Sequence, residues 1–384
     1  MGASMRVLWL CVILLSMASL TQAAGPTPLQ QVLPAGVETL IACRSPYQMP
    51  AASRDWPQDD LFHYRLYLPA GYDARGQQTY PLMFIASPSG NARMGVMAAR
   101  LKRDRWVVAM LVESRNRSIV WLPNFMAAYH DITQRVRVHK SMLFCTGLSG
   151  GARVCGYYPR LRPGFQGLIL QAAGFPQRPA YLRGANAHIA VYGTFGNQDR
   201  NRREGRRIRA GVPPQTRTLV ELWEGGHTWA PASVFNRALD WLEEKALLDQ
   251  VYQNSLSGAY RWHLDNQLAL YAQAGSDMER YAIYQRILRL PKRWHDQLDA
   301  AVASSLSTIA EAMRQLVDSE AMGQEIAAYH AFHETLRLDE RGRGSNLPAL
   351  IKRYGQIVER YGQTIYAKQA AIRQQSVRWE HGEP

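Results

Sequence analysis

The sequence predicts an α/β protein: a mostly parallel sheet with helices on both faces, followed by an all-helical region. Three observations carry this. From residue 60 to about 245, strand-like and helix-like segments alternate, the order that builds crossover units. Most of the strand candidates are continuously apolar rather than alternating, as strands buried on both faces are. After about residue 247 the strand candidates stop and the chain becomes helix-periodic.

The strand candidates are FHYRLYL (62–68), LMFIAS (82–87), WVVAMLV (106–112), MLFCTGL (142–148), GLILQA (167–172), HIAVYGTF (188–195) and TLVELW (218–223). Between several of them lie helical patterns such as MAAYHDITQRVRV and VFNRALDWLEEKALL. Beyond residue 247, five helix-periodic segments are separated by Gly, Ser, Asp and Pro, the ordinary punctuation of helices. The last of them, LPALIKRYGQIVERYGQTIYAKQAAI, reads as one segment.

The start of the chain reads as an export signal. Arg6 precedes the apolar run VLWLCVILLSMASL, and Thr21 and Ala23 suit cleavage after Ala23. The expected organisation is a signal peptide (1–23), an N-terminal extension (24–56), an α/β domain (57–246) and a helical domain (247–384). The location expected is periplasmic or secreted, with no membrane span after cleavage. The mature chain keeps Cys43, Cys145 and Cys155, so at least one thiol is unpaired within a monomer. Cys145 and Cys155 read equally as a disulfide and as buried apolar thiols.

Formal net charge is +14 on 384 residues. This fits an anionic surrounding or substrate, and it fits charge that merely opposes aggregation. The sequence carries no nucleic-acid motif, and nucleic acid is not expected as a partner. H-E-x-x-H, phosphate-loop and dinucleotide patterns are absent as well, so neither a cofactor nor a metal is expected. His330 and His333, with Glu334 beside them, read as a solvated helix face rather than a metal site.

The stretch SMLFCTGLSGGARVCG (141–156) carries the chemistry. An apolar strand runs into Gly147-Leu148-Ser149-Gly150-Gly151, then into a helix. A serine held on so sharp a turn is strained, and only small neighbours fit beside it. That is the setting of a nucleophile elbow; the plainer reading is a glycine-rich turn with an ordinary serine. A serine nucleophile needs a base and the base an orienting carboxylate. Asp199 follows the strand ending VYGTFG, and His227 follows the strand ending ELW. The chain order Ser149, Asp199, His227, each after its strand, is the order such sites require. Taken singly, Asp199 reads as a helix cap and His227 as a loop histidine.

LFHYRLYLPAGYD, YPLMFIASPSGN, LFCTGLSGGARV, GTFGNQDRN and EGGHTWAP together resemble the α/β-hydrolase superfamily, and most of all exported esterases of the polyhydroxybutyrate depolymerase and feruloyl esterase type. The resemblance covers about residues 57–246. It implies a Ser149–Asp199–His227 triad with the backbone N–H of Gly150 as one oxyanion donor. Where the family carries His-Gly after its third strand, this chain has Ser87-Pro88-Ser89. Pro88 has no N–H, which leaves Ser89, with the hydroxyl of Ser87, to complete the oxyanion hole. The function expected is an exported serine esterase acting on carboxylic esters, including polymer- or polysaccharide-borne ones. The alternative is a hydrolase-fold binding or scaffold protein that is catalytically weak or inactive, with the helical domain making protein contacts.

One further stretch bears on substrate. Arg200, Arg202, Arg203, Arg206, Arg207 and Arg209 crowd behind Asp199, with Arg115 and Arg117 after an earlier strand. They read as a guanidinium patch for an anionic substrate, with Arg202, Arg203 and Arg206 its candidates, or as a solvated basic helix.

Overall fold

A computed structural model describes residues 33–46, 57, 59, 61–247, 257–290, 298, 300–319, 322–340 and 346–382. The expected signal peptide and the 24–32 and 47–56 parts of the expected extension lie outside them. Eight strands form one sheet: β1 (Glu38–Arg44), β2 (Leu61–Tyr67), β3 (Tyr80–Ala86), β4 (Val107–Leu111), β5 (Val138–Leu148), β6 (Phe165–Gln171), β7 (Ala190–Gly196) and β8 (Thr218–Trp223). Their order is β1-β2-β4-β3-β5-β6-β7-β8. β2 is antiparallel to both of its neighbours, and from β4 to β8 every pairing is parallel.

The helices are α1 (Ala98–Arg103), α2 (Trp121–Arg135), α3 (Gly150–Cys155), α4 (Arg203–Gly211), α5 (Ala232–Leu247), α6 (Ser257–Gln273), α7 (Asp277–Leu288), α8 (Ala300–Val317), α9 (Gly323–Asp339), α10 (Leu347–Tyr361) and α11 (Ile365–His381). Every residue of β3, β4, β6 and β7 is buried, so both faces of the sheet are covered, which is why these strands read as unbroken apolar runs. This is the α/β-hydrolase-like architecture expected, followed by the C-terminal helices α6–α11.

Three features differ from the sequence reading or refine it. β1 joins the sheet from within the stretch read as an extension. Only Ile41 and Cys43 of its seven residues are buried, so it lacks the apolar run of a central strand. The segment read as one helix over 347–372 is two. Gly362 (φ +46) ends α10, and the Thr364 hydroxyl accepts from Ala367 N–H to start α11. Such a cap stabilises a helix start by about 1 kcal/mol. Cys145 and Cys155 form a disulfide between β5 and α3, and Cys43 is a buried free thiol.

β8 is an edge strand, and the C-terminal helices satisfy its outer backbone groups. Thr218 N–H donates to Glu340 O (3.1 Å), Arg373 Nη1 donates to Val220 O (2.6 Å), and Leu222 N–H donates to Ser376 Oγ (3.0 Å). An edge covered this way offers no template to another chain. Behind it lies a buried charge cluster. Asp339 accepts from Arg373 Nη2 (2.5 Å), Arg209 Nη2 (2.8 Å) and Tyr354 Oη (3.0 Å). Burial alone would raise the Asp339 carboxyl, but the two guanidiniums hold it below the usual carboxylate range.

Candidate active site

The site is built where the strands end. β5 delivers Leu148, α3 begins at Gly150, and Ser149 between them has φ 53° and ψ −115°. A non-glycine residue in this region is strained and persists only where its surroundings force it. They do. A Cβ on Gly151 would fall 2.2 Å from Ala86 O, and one on Gly147 2.3 Å from Gly151 C. Both contacts are to backbone, so neither can yield. Ser149 N–H donates to Gln171 O (2.8 Å), and Ser149 O accepts from Arg153 N–H (3.2 Å). The N–H of Gly150 belongs to the first turn of α3, where backbone donors lack helical acceptors.

Asp199 and His227 meet at the ends of β7 and β8. His227 Nδ1 lies 2.8 Å from Asp199 Oδ1. That oxygen also accepts from Asn201 N–H (2.7 Å). Asp199 is fully buried, and its Oδ2 has no hydrogen-bond partner among the described residues. The carboxylate accepts, so Nδ1 donates, and the neutral ring keeps its lone pair on Nε2. The two loops are latched together. Asn197 N–H donates to Trp223 O (2.8 Å), Gln198 N–H to Gly225 O (2.9 Å) and Gly225 N–H to Asn197 Oδ1 (3.1 Å). Two neighbouring carboxylates are engaged elsewhere: Glu204 with Arg153 (2.6 Å) and Glu221 with Arg237 (2.5 Å).

Sequence reasoning missed Gln171. It is buried at the end of β6, between the two halves of the site. Its backbone O receives Ser149 N–H. Its Nε2 donates to Thr146 Oγ1 on β5 (2.8 Å), and its Oε1 accepts from Ala230 N–H, three residues past His227 (3.0 Å). One polar residue closing the apolar run GLILQ was the available signal.

The Ser87–Ser89 loop leaves β3 beside the elbow: the position that excludes a Cβ on Gly151 is walled by Ala86 O and, at 3.0 Å, Ser87 N. Ser87 Oγ and Ser89 Oγ are 3.0 Å apart, and Ser89 N–H donates weakly to Ser87 Oγ (3.4 Å). Pro88 O accepts from Asn116 N–H (2.8 Å). The Asn116 carboxamide lies against Gly150, filling the place a Cβ would take.

The arginine run divides. Arg206 Nε donates to Trp379 O (2.8 Å), and its guanidinium stacks over the Trp379 ring at 5.0 Å. Arg209 is buried between Glu380 (2.5 Å) and Asp339 (2.8 Å). These two hold α11 to α4. Arg202 reaches Asp199 O only at 3.5 Å; Arg200, Arg203 and Arg207 are exposed. Elsewhere, His330 hydrogen-bonds Tyr281 (2.8 Å). Among the described residues no cluster of three metal-ligating side chains occurs and no helix is long and apolar enough to cross a membrane.

No protein-family model matches the chain, and no curated protein matches it by sequence. Solved structures resemble it at the level of architecture. One is a fluorophosphonate-binding serine hydrolase of Staphylococcus aureus, 12% identical, covering 54% of this chain and 99% of its own, with a TM-score of 0.40. A ferulic acid esterase is 13% identical over 53% of this chain and 97% of its own, TM-score 0.37. A hyperthermophilic esterase from Pyrobaculum calidifontis is 11% identical over 56% and 85%, TM-score 0.38.

Proposed function

We propose that this chain is an exported serine esterase. Ser149 Oγ attacks the ester carbonyl while His227 Nε2 takes its proton. Asp199 receives Nδ1–H, fixes the ring and offsets the imidazolium charge. The developing oxyanion is met by Gly150 N–H and by a donor of the Ser87–Ser89 loop. Collapse expels the alcohol with the proton His227 holds, and water then hydrolyses the acyl-enzyme by the same steps in reverse roles. The observation that carries the reading is the strained backbone of Ser149 at a strand-to-helix turn, because such strain is retained where function uses it. The buried Asp199–His227 pair two strands away supports it. Asp199 Oδ2 has no donor of its own, so a positive charge on His227 has a carboxylate held ready for it.

Between β6 and β7 the chain forms no α-helix, so no helical cap intervenes there, which suits an ester carried on a polymer or polysaccharide. The disulfide supports an oxidising compartment, periplasmic or extracellular. One observation favours the second reading, an inactive scaffold: Pro88 offers no N–H, and that of Ser89 is turned to Ser87 Oγ. A fluorophosphonate probe decides between them. The esterase reading expects labelling of the wild type and none of Ser149→Ala at unchanged Tm. An unlabelled wild type supports the scaffold, and labelling that survives the substitution moves the nucleophile elsewhere.

A further inference from the structure

A cavity lies away from Ser149, between the sheet edge and the C-terminal helices. It encloses about 140 Å³ and is lined by mid-strand residues of β7 and β8 and by α5, α7, α9 and α11. That is room for several waters or one small ring. Its walls are aromatic on one side. Tyr329, Phe332 and Tyr366 surround the His333 ring, with Tyr329–His333 centroids 4.3 Å apart and Tyr329–Tyr366 5.0 Å apart.

The charges lining this cavity balance in number, three carboxylates to three guanidiniums, but are not equally paired. Glu221 is paired with Arg237 at 2.5 Å, and Arg373 is spent on Asp339 and Val220 O. Glu244 is paired with Arg289 at 3.1 Å. Asp240 is held by Arg100 at 2.7 Å and reaches Arg286 only at 3.4 Å. Of the five donors of Arg286 on the cavity wall, one makes a long contact, to a carboxylate another arginine already holds. The Arg286 side chain is 32% exposed, so water meets part of its need and the rest of its donors are left for an anion. The His333 ring and the Gln369 carboxamide, which also line the cavity, make no hydrogen bonds among the described residues.

We infer that this cavity is a binding site for a small aromatic carboxylate. The carboxylate pairs with the planar fork of Arg286, which matches it in two-point geometry. The ring packs against Tyr329, Phe332 and Tyr366 in offset or edge-on contacts. His333 and Gln369 supply hydrogen bonds to the carboxylate or to ring substituents. Burial first, then the charges of Arg289 and Arg286, hold the His333 ring well below its usual pKa, so the ring is neutral and adds no charge to the pocket. The inference does not depend on Ser149 being a nucleophile.

Isothermal titration of the full chain tests it, with benzoate, benzamide and inorganic phosphate as probes. Benzoate should bind, and the uncharged benzamide and the ringless phosphate should each bind at least about tenfold more weakly, roughly 1.4 kcal/mol. Arg286→Gln should weaken benzoate by at least about tenfold, with Arg286→Lys recovering part of the loss. Ala282 also lines the cavity; Ala282→Leu should abolish binding by filling it, with Tm at or above that of the wild type. Four results overturn the inference: no benzoate binding by the wild type, benzamide as tight as benzoate, phosphate as tight as benzoate, or binding untouched by both Arg286→Gln and Ala282→Leu.

Discussion

Gln171→Met separates positioning from mere packing. Methionine matches the volume of glutamine closely but offers neither the donor nor the acceptor. Ala230 N–H, on a residue 1% exposed, loses its acceptor at 3.0 Å; a buried donor left unmade costs about 1–3 kcal/mol. The Thr146 hydroxyl loses its donor at 2.8 Å but can rotate, and this adds about 1 kcal/mol. The backbone bond from Ser149 N–H to Gln171 O survives. Urea unfolding should therefore show a loss of about 2–4 kcal/mol. Because the donor the substitution strands, Ala230 N–H, lies three residues from His227, the imidazole loses its fixed setting, and kcat for p-nitrophenyl acetate should fall about 10- to 100-fold at similar KM, an increase in barrier of about 1.4–2.7 kcal/mol. Thr146→Ala is the control: it loses stability and keeps the Ala230 bond, so kcat should hold. Equal kcat in Gln171→Met and wild type, with stability reduced as expected, would refute the positioning argument.

Further outcomes follow from the same geometry. Asp199→Asn should reduce kcat at least about a hundredfold with little change in KM, since it releases the Nδ1–H tautomer; unchanged kcat would leave Asp199 a structural cap. Arg373→Met should destabilise the protein by about 3–5 kcal/mol in urea unfolding, because Asp339 stays buried with one guanidinium fewer; a loss under 1 kcal/mol on that scale would show the cluster redundant. Burial, with Arg286 and Arg100 nearby, pushes His263 from 6.5 down to about 4. The unfolded chain therefore binds a proton that the folded chain refuses between those values, and His263 should cost stability as pH falls from 6.5 toward 4, by up to about 3 kcal/mol. Comparing wild type with His263→Phe across that window reads the difference directly, and parallel curves would remove the assignment. Joint replacement of Arg202 and Arg203 by Ala should raise KM for a carboxylate-bearing ester several-fold more than for its neutral analogue if they steer anions; equal effects would leave a solvated face.

The sheet was legible because burial on both faces writes itself as continuous apolar runs, and most of the seven strand candidates carry that signature, β2 alternating instead. β1 was not, because an edge strand with two buried residues has almost no pattern to read. The break at Gly362 was hidden by a helical period that resumes three residues later. In the candidate site, Asp199 and His227 stood out by following their strands in order, and the structure sets them 2.8 Å apart. Gln171 was invisible as a partner, since its role depends on two segments 25 and 59 residues away. The direction of the arginines was unreadable for a similar reason: Arg206 and Arg209 point where α11 lies, and nothing near residue 206 announces a helix 170 residues downstream.

That last contact bears on why the helical region exists. The loop bearing His227 leaves β8, and β8 is the sheet's edge. Unsupported, such a strand frays, and with it the carbonyl of Trp223 that receives Asn197 N–H and so fixes the Asp199 loop. Arg373 and Ser376 of α11 hold Val220 O and Leu222 N–H, one to three residues before Trp223. Glu340, capping α9, holds the strand's first residue. From α11 to the Asp199–His227 pair there is thus a short path of hydrogen bonds joined by one to three residues of β8 backbone. The helical region's physical task at this edge is therefore to keep β8 in place, and through β8 the geometry on which the proton transfer proposed for His227 depends.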